Sequence, residues 1–262
     1  MLMKDLNQIA ELAFQVWDTQ RLPSELSVHM EALSLVEAYE VQTKVLNRRI
    51  AGGEKVAGYK VGCTSSAIRQ QFGLTEPICG RLMEPWIYAD GIELDWNAYV
   101  QCAVEPEFVF HIQQDVPHDV VDERDLLDVI GWVAPGIEVH HFKFWFGAPT
   151  SQELILSNGI HAALIVGKSR RSPESIAFHT QRVDVLRGDR LAASGFGVDI
   201  MGGPLKSLRW LIRHLAERGE HLRAGQLVIP GSPVELIAVR PQDRITVSMT
   251  QFENVTACFQ DR

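Results

Sequence analysis

Apolar residues at Leu6, Ile9, Ala10, Ala13, Val16 and Trp17 recur at steps of three and four, the spacing of one helical face. Pro23, Ser24 and Ser27 then punctuate the chain. A second helix reads through Ala32, Leu35, Val36, Tyr39, Leu46 and Ile50 and stops at Gly52-Gly53, a C-terminal signal. Beyond it the pattern shortens. The segments Val56–Val61, Ile92–Trp96, Val100–Ile112, Gly136–Val139, Ile160–Val166, Phe178–Leu186, Leu227–Ile229, Val234–Ala238, Ile245–Met249 and Val255–Phe259 read as strands between Gly, Pro and Asp turns. One late helix interrupts them: Pro204 suits a first turn, Leu205, Leu208, Leu211, Ile212 and Leu215 form a stripe, and Gly219 ends it. The pattern predicts an α+β chain, with a helical N-terminal segment over 1–75 and a β-rich catalytic domain over 76–262.

A chain of 262 residues suits one large domain or one domain with a small companion, at about 150 residues per domain. With 46% hydrophobic and 22% charged residues it reads as globular, and a net charge of −8 gives no basic field for nucleic acid or anionic membranes. The longest run free of Asp, Glu, Lys and Arg, Leu154 to Gly167, is too short and polar to span a bilayer. Lys4 and Asp5 stand where a signal peptide would turn apolar, so a cytoplasmic location is expected. Cys63, Cys79, Cys102 and Cys258 show no CxxC spacing and read as reduced thiols.

Candidate chemistry begins at Glu105-Pro106-Glu107, inside a largely apolar strand. Residues two apart share a face, so both carboxylates emerge side by side. Two readings are open. The pair faces solvent on an edge strand, where Pro106 is tolerated, or it is buried and needs a cation or a shared proton. Glu138, in the uncharged stretch after Pro135-Gly136, adds a third acid, and three carboxylates without thiolates make a hard-oxygen set suited to Mg²⁺ or Mn²⁺. His140 and His141 raise a rival, a two-His-one-carboxylate iron site. Successive strand residues face opposite ways, so both cannot join Glu138 at one ion, and each reads as a structural histidine. Lys60 lies in the glycine-bracketed Gly58-Tyr59-Lys60-Val61-Gly62; near a bound ion it is a candidate proton carrier, its pKa lowered by burial beside the cation. Gly195-Phe196-Gly197 and Met201-Gly202-Gly203-Pro204 match no nucleotide motif, and Gly231-Ser232-Pro233 is not a nucleophile elbow.

Taken in order, these motifs resemble the 2-keto-4-pentenoate hydratase and 4-oxalocrotonate decarboxylase family, within the fumarylacetoacetate hydrolase superfamily. The resemblance runs from about residue 37 to the C-terminus. It rests on Glu37-Ala38-Tyr39-Glu40-Val41-Gln42, the Gly58 to Ser65 segment, Pro77 with Gly80, Val104-Glu105-Pro106-Glu107-Phe108 and Gly136-Ile137-Glu138-Val139. Gly202-Gly203-Pro204-Leu205, Leu208-Arg209-Trp210-Leu211, Leu222-Arg223-Ala224-Gly225 and Gly231-Ser232 complete it. It implies a β-roll core, a Mg²⁺ or Mn²⁺ ion on Glu105, Glu107 and Glu138, a catalytic Lys60, and substrate contacts from Val61, Thr64, Asn158, His161 and Ser232. It also implies a homo-oligomer acting on a small 2-hydroxy or 2-oxo unsaturated carboxylate from aromatic-ring cleavage.

The chain departs from the family pattern around that site. Where members usually continue after the third glutamate with a segment like I-V-D-S-R, Val139-His140-His141-Phe142-Lys143 stands here. A segment like A-D-N-A-S-S is replaced by Leu156-Ser157-Asn158-Gly159-Ile160-His161, Cys79 precedes Gly80 in place of an aromatic, and Gln251-Phe252-Glu253-Asn254 lacks a late glycine. The leading expectation is a hydratase adding water to a 2-hydroxy-2,4-dienoate. The alternatives are a decarboxylase of a 4-oxalocrotonate-like diacid and a non-catalytic oxoacid-binding or companion subunit. Carbon–carbon hydrolysis needs a His base with an acidic orienter, and His111, His118, His140, His141 and His161 show no pattern that assigns one.

Overall fold

The computed structural model describes residues 5–19, 26, 33–116, 122–141 and 149–262. Pro23, Ser24, Ser27, Ala32, His118, Phe142 and Lys143 lie outside the described residues, as does the side chain of Trp17. The helices are α1 (Leu6–Thr19), α2 (Leu35–Ala51), α3 (Ser66–Gln71), α4 (Glu123–Asp128), α5 (Ser151–Leu156) and α6 (Pro204–Ala216). The strands are β1 (Val56–Gly62), β2 (Ile78–Met83), β3 (Ile87–Ala89), β4 (Ile92–Asp95), β5 (Cys102–Ile112), β6 (Ile130–His141) and β7 (His161–Val166). They continue with β8 (Arg182–Arg187), β9 (Arg190–Phe196), β10 (Leu227–Ile229), β11 (Ile237–Ala238), β12 (Arg244–Met249) and β13 (Val255–Gln260).

A mixed sheet runs β2-β1-β10-β5-β6-β7-β3, with β11 paired to β5, and a five-stranded sheet runs β4-β13-β12-β8-β9. β1 pairs with β10, and β3 with β7, in parallel; β5, β6 and β7 are antiparallel neighbours. The stripe on α6, Leu205, Leu208, Leu211, Ile212 and Leu215, enters the main core with Phe108, Phe110, Ile137, Val183, Val247 and Phe259. At about 25 cal/mol per Å² of apolar surface, each such leucine supplies roughly 1.5–3 kcal/mol. β1 therefore belongs to the large sheet although it lies within residues 1–75.

The large sheet curls. Asn158 follows α5 and precedes β7, yet its Oδ1 accepts from the Arg81 main-chain N–H of β2 (2.6 Å) and its Nδ2 donates to the Arg81 carbonyl (2.8 Å). One side-chain amide thus satisfies the donor and the acceptor of a strand edge, as a neighbouring strand would. The helical segment packs over this seam: Gln42 on α2 donates to the carbonyls of Cys79 (3.0 Å) and Ile155 (2.7 Å). Ser34 caps α2 in a reciprocal capping box with Glu37.

The structure corrects several expected boundaries. The strand expected over Val100–Ile112 begins at Cys102, and Gly136–Val139 is the middle of the longer β6. Of Phe178–Leu186 only the part from Arg182 is strand, because the Ala177 carbonyl closes a turn on the Thr180 N–H, the Phe178 N–H closes one on the Ile176 carbonyl, and the His179 carbonyl accepts from the Val198 N–H. Of Val234–Ala238 only the last two residues pair, because Ser232 Oγ closes a turn on Val234. β2, β3 and β9 and the short helices α3, α4 and α5 carry no periodicity long enough to announce them.

Candidate active site

β5 turns Glu105 and Glu107 to one face, and the register sets Glu105 directly opposite Glu138 on β6. Like charges in that relation repel. Glu107 and Glu138 are fully buried and Glu105 is partly so, which decides between the two readings of the pair: it does not face open solvent. Lys60, 3% exposed on β1, brings Nζ to 3.2 Å from Glu138 Oε1. β1 and β6 are three strand spacings apart in the sheet order, roughly 14 Å if the sheet were flat. Side chains stand nearly perpendicular to their sheet, so the contact requires the curl that Asn158 closes.

Glycines leave the space for Lys60. A Cβ at Gly80 would come within 2.9 Å of both Lys60 Cγ and the Asn158 carbonyl oxygen, and one at Gly159 within 3.1 Å of Lys60 Nζ. Gly159 also holds φ at +62°, a conformation costly for a side chain. On the opposite side, the Gly231 N–H donates to Glu107 Oε2 at 3.0 Å.

Two histidines complete the cluster. His161 donates Nδ1–H to Glu138 Oε1 (2.8 Å), and His140 Nε2 lies 3.1 Å from Glu105 Oε2 and 3.5 Å from Glu138 Oε2. His140 follows Glu138 by two residues, so it shares the face; that same spacing makes Glu105 and Glu107 conspicuous, and it is the signal that could have drawn His140 into the site. His141 points away and accepts from the Val100 N–H at 3.1 Å through Nδ1. Among the described residues, Glu105, Glu138 and His140 each offer a ligand atom within 4.8 Å of the others. Glu107 stands beside this set, outside that limit.

Of the expected substrate contacts, His161 joins the cluster and Thr64 packs against Gly231, where an added Cβ would lie 2.5 Å from its methyl. Val61 turns its side chain into the main core, Asn158 spends both amide ends on Arg81, and Ser232 bonds Val234.

Charge balance shows what the cluster lacks. With all three carboxyls ionised, three carboxylates face one ammonium, leaving two negative charges in excess. Burial, reinforced by Glu138 and Glu105, raises the Glu107 pKa well above the usual carboxylate range. Burial works in the same direction on Glu138, but His140, Lys60 and the His161 hydrogen bond outweigh it and hold that carboxyl low. Burial favours neutral Lys60, yet the Glu138, Glu105 and Glu107 carboxylates prevail and raise its pKa. Burial also lowers His161, against the pull of Glu138, and takes His141 down to about 3, with His161 and His140 adding to the shift. Among the described residues, Glu107 Oε1 and Glu138 Oε2 are buried without a hydrogen-bond partner. Unpartnered hard oxygens with two excess negative charges suit a divalent cation.

No family model matches the chain. A fumarylpyruvate hydrolase from Pseudomonas aeruginosa, solved in complex with Mn²⁺ and pyruvate, superposes with a TM-score of 0.62 at 15% identity, over 78% of this chain and 89% of that one. Curled sheet and helical cover together define the fumarylacetoacetate hydrolase fold. Within it, the 4-oxalocrotonate decarboxylase from Pseudomonas putida G7, complexed with magnesium and adipate, matches with a TM-score of 0.92 at 25% identity, covering 99% of this chain and 98% of that one. A 2-keto-4-pentenoate hydratase from Paraburkholderia xenovorans (strain LB400) is 24% identical over 243 residues, 93% of this chain and 90% of the relative, and further curated relatives carry hydratase names. The chain is a homologue of the 2-keto-4-pentenoate hydratases and 4-oxalocrotonate decarboxylases.

Proposed function

We propose that the chain is a lyase: a divalent-metal-dependent hydratase that adds water to a 2-hydroxy-2,4-dienoate, by way of its 2-oxo-enoate tautomer, to give a 4-hydroxy-2-oxo acid in meta-cleavage aromatic catabolism. The observation that carries this reading is Lys60 Nζ at 3.2 Å from Glu138 within a set of three carboxylates, two of them fully buried. Relatives named as hydratases of such compounds support it.

Glu105, Glu107 and Glu138 would hold Mg²⁺ or Mn²⁺, and the ion when bound would supply Lewis acidity that stabilises enolate charge. Lys60, held charged by its surroundings, delivers a proton from Nζ to C5 of the dienol, and the proton leaving the 2-hydroxyl replaces it. Water then joins the enone, its oxygen bonding to C4 and its proton ending on C3. The buried carboxylates keep Lys60 aimed at one point, which favours transfer by positioning. Val61 through its main chain, Thr64, His161 and Ser232 bound the substrate, and Asn158 acts by keeping the seam closed. The working form is a homo-oligomer, a reading supported by exposed Leu191, Phe196 and Val198 along and just beyond edge strand β9 and tested by sedimentation velocity.

Purified protein loaded with Mg²⁺ or Mn²⁺ should bleach the absorbance of a 2-hydroxy-2,4-dienoate and yield a 4-hydroxy-2-oxo acid by chromatography. Absence of turnover with every dienoate tried refutes the reading. The 0.92 TM-score to a decarboxylase favours one second reading, decarboxylation of a 4-oxalocrotonate-like diacid. Release of CO₂ in place of water uptake marks that outcome.

A further inference from the structure

We propose that His140 supplies a nitrogen ligand, so that the centre is a mixed nitrogen–oxygen site that prefers a transition-metal dication, Mn²⁺ or a later one such as Co²⁺, over Mg²⁺. This rests on the metal-dependent reading above and adds to it a donor and a metal selectivity.

The geometry starts from β6. Glu138 and His140 occupy alternate positions of one strand, and His140 is 1% exposed, so its ring is shielded from bulk water. Its Nε2 lies 3.1 Å from Glu105 Oε2 and 3.5 Å from Glu138 Oε2. Donor atoms each about 2.1 Å from a shared ion stand roughly 3.0 Å apart when they subtend a right angle and roughly 3.4 Å at the tetrahedral angle. Both observed separations match such ligand pairs.

The division of labour on Glu138 points the same way. Oε1 is occupied by Lys60 at 3.2 Å and His161 at 2.8 Å. Oε2, buried and without a hydrogen-bond partner among the described residues, is the oxygen on the His140 side. Lys60 and His161 thus fix the carboxylate from one edge and leave the other to the ion and His140. Chemistry gives the consequence. A neutral imidazole nitrogen is a borderline donor that suits Mn²⁺, Co²⁺, Ni²⁺ and Zn²⁺, with affinity rising from Mn²⁺ through Co²⁺ and Ni²⁺ to a maximum at copper, whereas Mg²⁺ takes oxygen almost exclusively. The I-V-D-S-R pattern has valine where this chain has His140, so a site built to that pattern lacks this donor.

The test uses the full-length protein, stripped with chelator and reloaded with Mn²⁺, Co²⁺ or Mg²⁺ singly. Pulsed electron paramagnetic resonance of the Mn²⁺ form should show nitrogen coupling from a directly bound imidazole, and His140→Val should abolish it while His161 is still present. Equilibrium dialysis should show the Co²⁺-to-Mg²⁺ affinity ratio falling at least about tenfold in that variant, within the range that disturbance of a metal site commonly produces. If His140→Val fails to fold, His140→Gln keeps a hydrogen-bonding side chain beside Glu105 but no imidazole, and the same two measurements apply. Mn²⁺ bound without nitrogen coupling, coupling that survives loss of His140, or an unchanged affinity ratio overturns the inference and leaves the metal-dependent reading standing. Failure of any dication to bind overturns both.

Discussion

Replacing Lys60 by methionine separates charge balance from proton transfer. The Lys60 ammonium lies 3.2 Å from Glu138 Oε1, an attraction of about 5 kcal/mol at an effective dielectric near 20. Desolvating the amine offsets part of that, but its removal leaves buried carboxylates without their ammonium, a change that costs roughly 3–5 kcal/mol in comparable buried pairs. In chelator the variant should therefore melt well below the parent. With Mn²⁺ the gap should narrow, because the dication replaces the lost positive charge, and Mn²⁺ should bind at least as tightly by calorimetry since a nearby cation is gone. Turnover should still fall about 10²–10⁴-fold in kcat, the usual contribution of a positioned acid or base, with little change in KM. A metal-loaded variant that keeps more than about a third of the parent kcat would refute the assignment of Lys60 as proton carrier. A collapse of Mn²⁺ affinity would make it structural.

Three further outcomes follow from the same cluster. Glu107 has a raised folded-state pKa, so its contribution to stability is complete below the unfolded carboxylate range and is lost as pH climbs through the raised value; metal-free protein should melt lower in that direction, and Glu107→Gln should flatten the profile in scanning fluorimetry. Glu138, held low, acts in the opposite sense, its contribution being lost only as pH falls through its depressed value. Mn²⁺ at a hundred times its Kd should stabilise the parent by about 2.7 kcal/mol, and Glu105→Gln or Glu138→Gln should remove most of that increment in the same thermal scan. Asn158→Ala strands the Arg81 N–H and carbonyl at the seam and should cost about 2–4 kcal/mol in urea unfolding, with activity falling alongside stability.

Much of this was legible in the chain because the site uses the simplest periodicity available. Glu105 and Glu107 announce a shared face by their spacing, and the stripe from Leu205 to Leu215 predicts α6 to within two residues. Glu138 and Lys60 drew weight from the family resemblance, since neither position alone distinguishes a buried ligand from a surface charge. β2 was not legible: its six buried residues include Gly80 and Arg81, and it exists because the Lys60 stem needs a glycine opposite and because Arg81 can bond Glu220 (2.8 and 2.9 Å) while lying over the Tyr59 ring. β9, largely exposed at a sheet edge, shows no hydrophobic alternation. The resemblance makes Asn158 a pocket residue, and its bonds to Arg81 depend on a partner 77 residues away in sequence. His140 and His141 read alike in the sequence, whereas alternation along β6 puts His140 beside Glu105 and turns His141 to the Val100 N–H.

The hydrogen bonds of Asn158 across the sheet's open edge have a consequence for how the protein acquires activity. Lys60 and Glu138 come from strands that share no hairpin, so no short fragment of the chain contains a working centre. The Lys60–Glu138 contact is of long sequence separation, and its loop-closure entropy must be met before the contact returns any stabilisation. Refolding should therefore restore far-ultraviolet ellipticity before it restores the ability to bind a dication. Metal uptake then serves as a clock for the moment the roll closes.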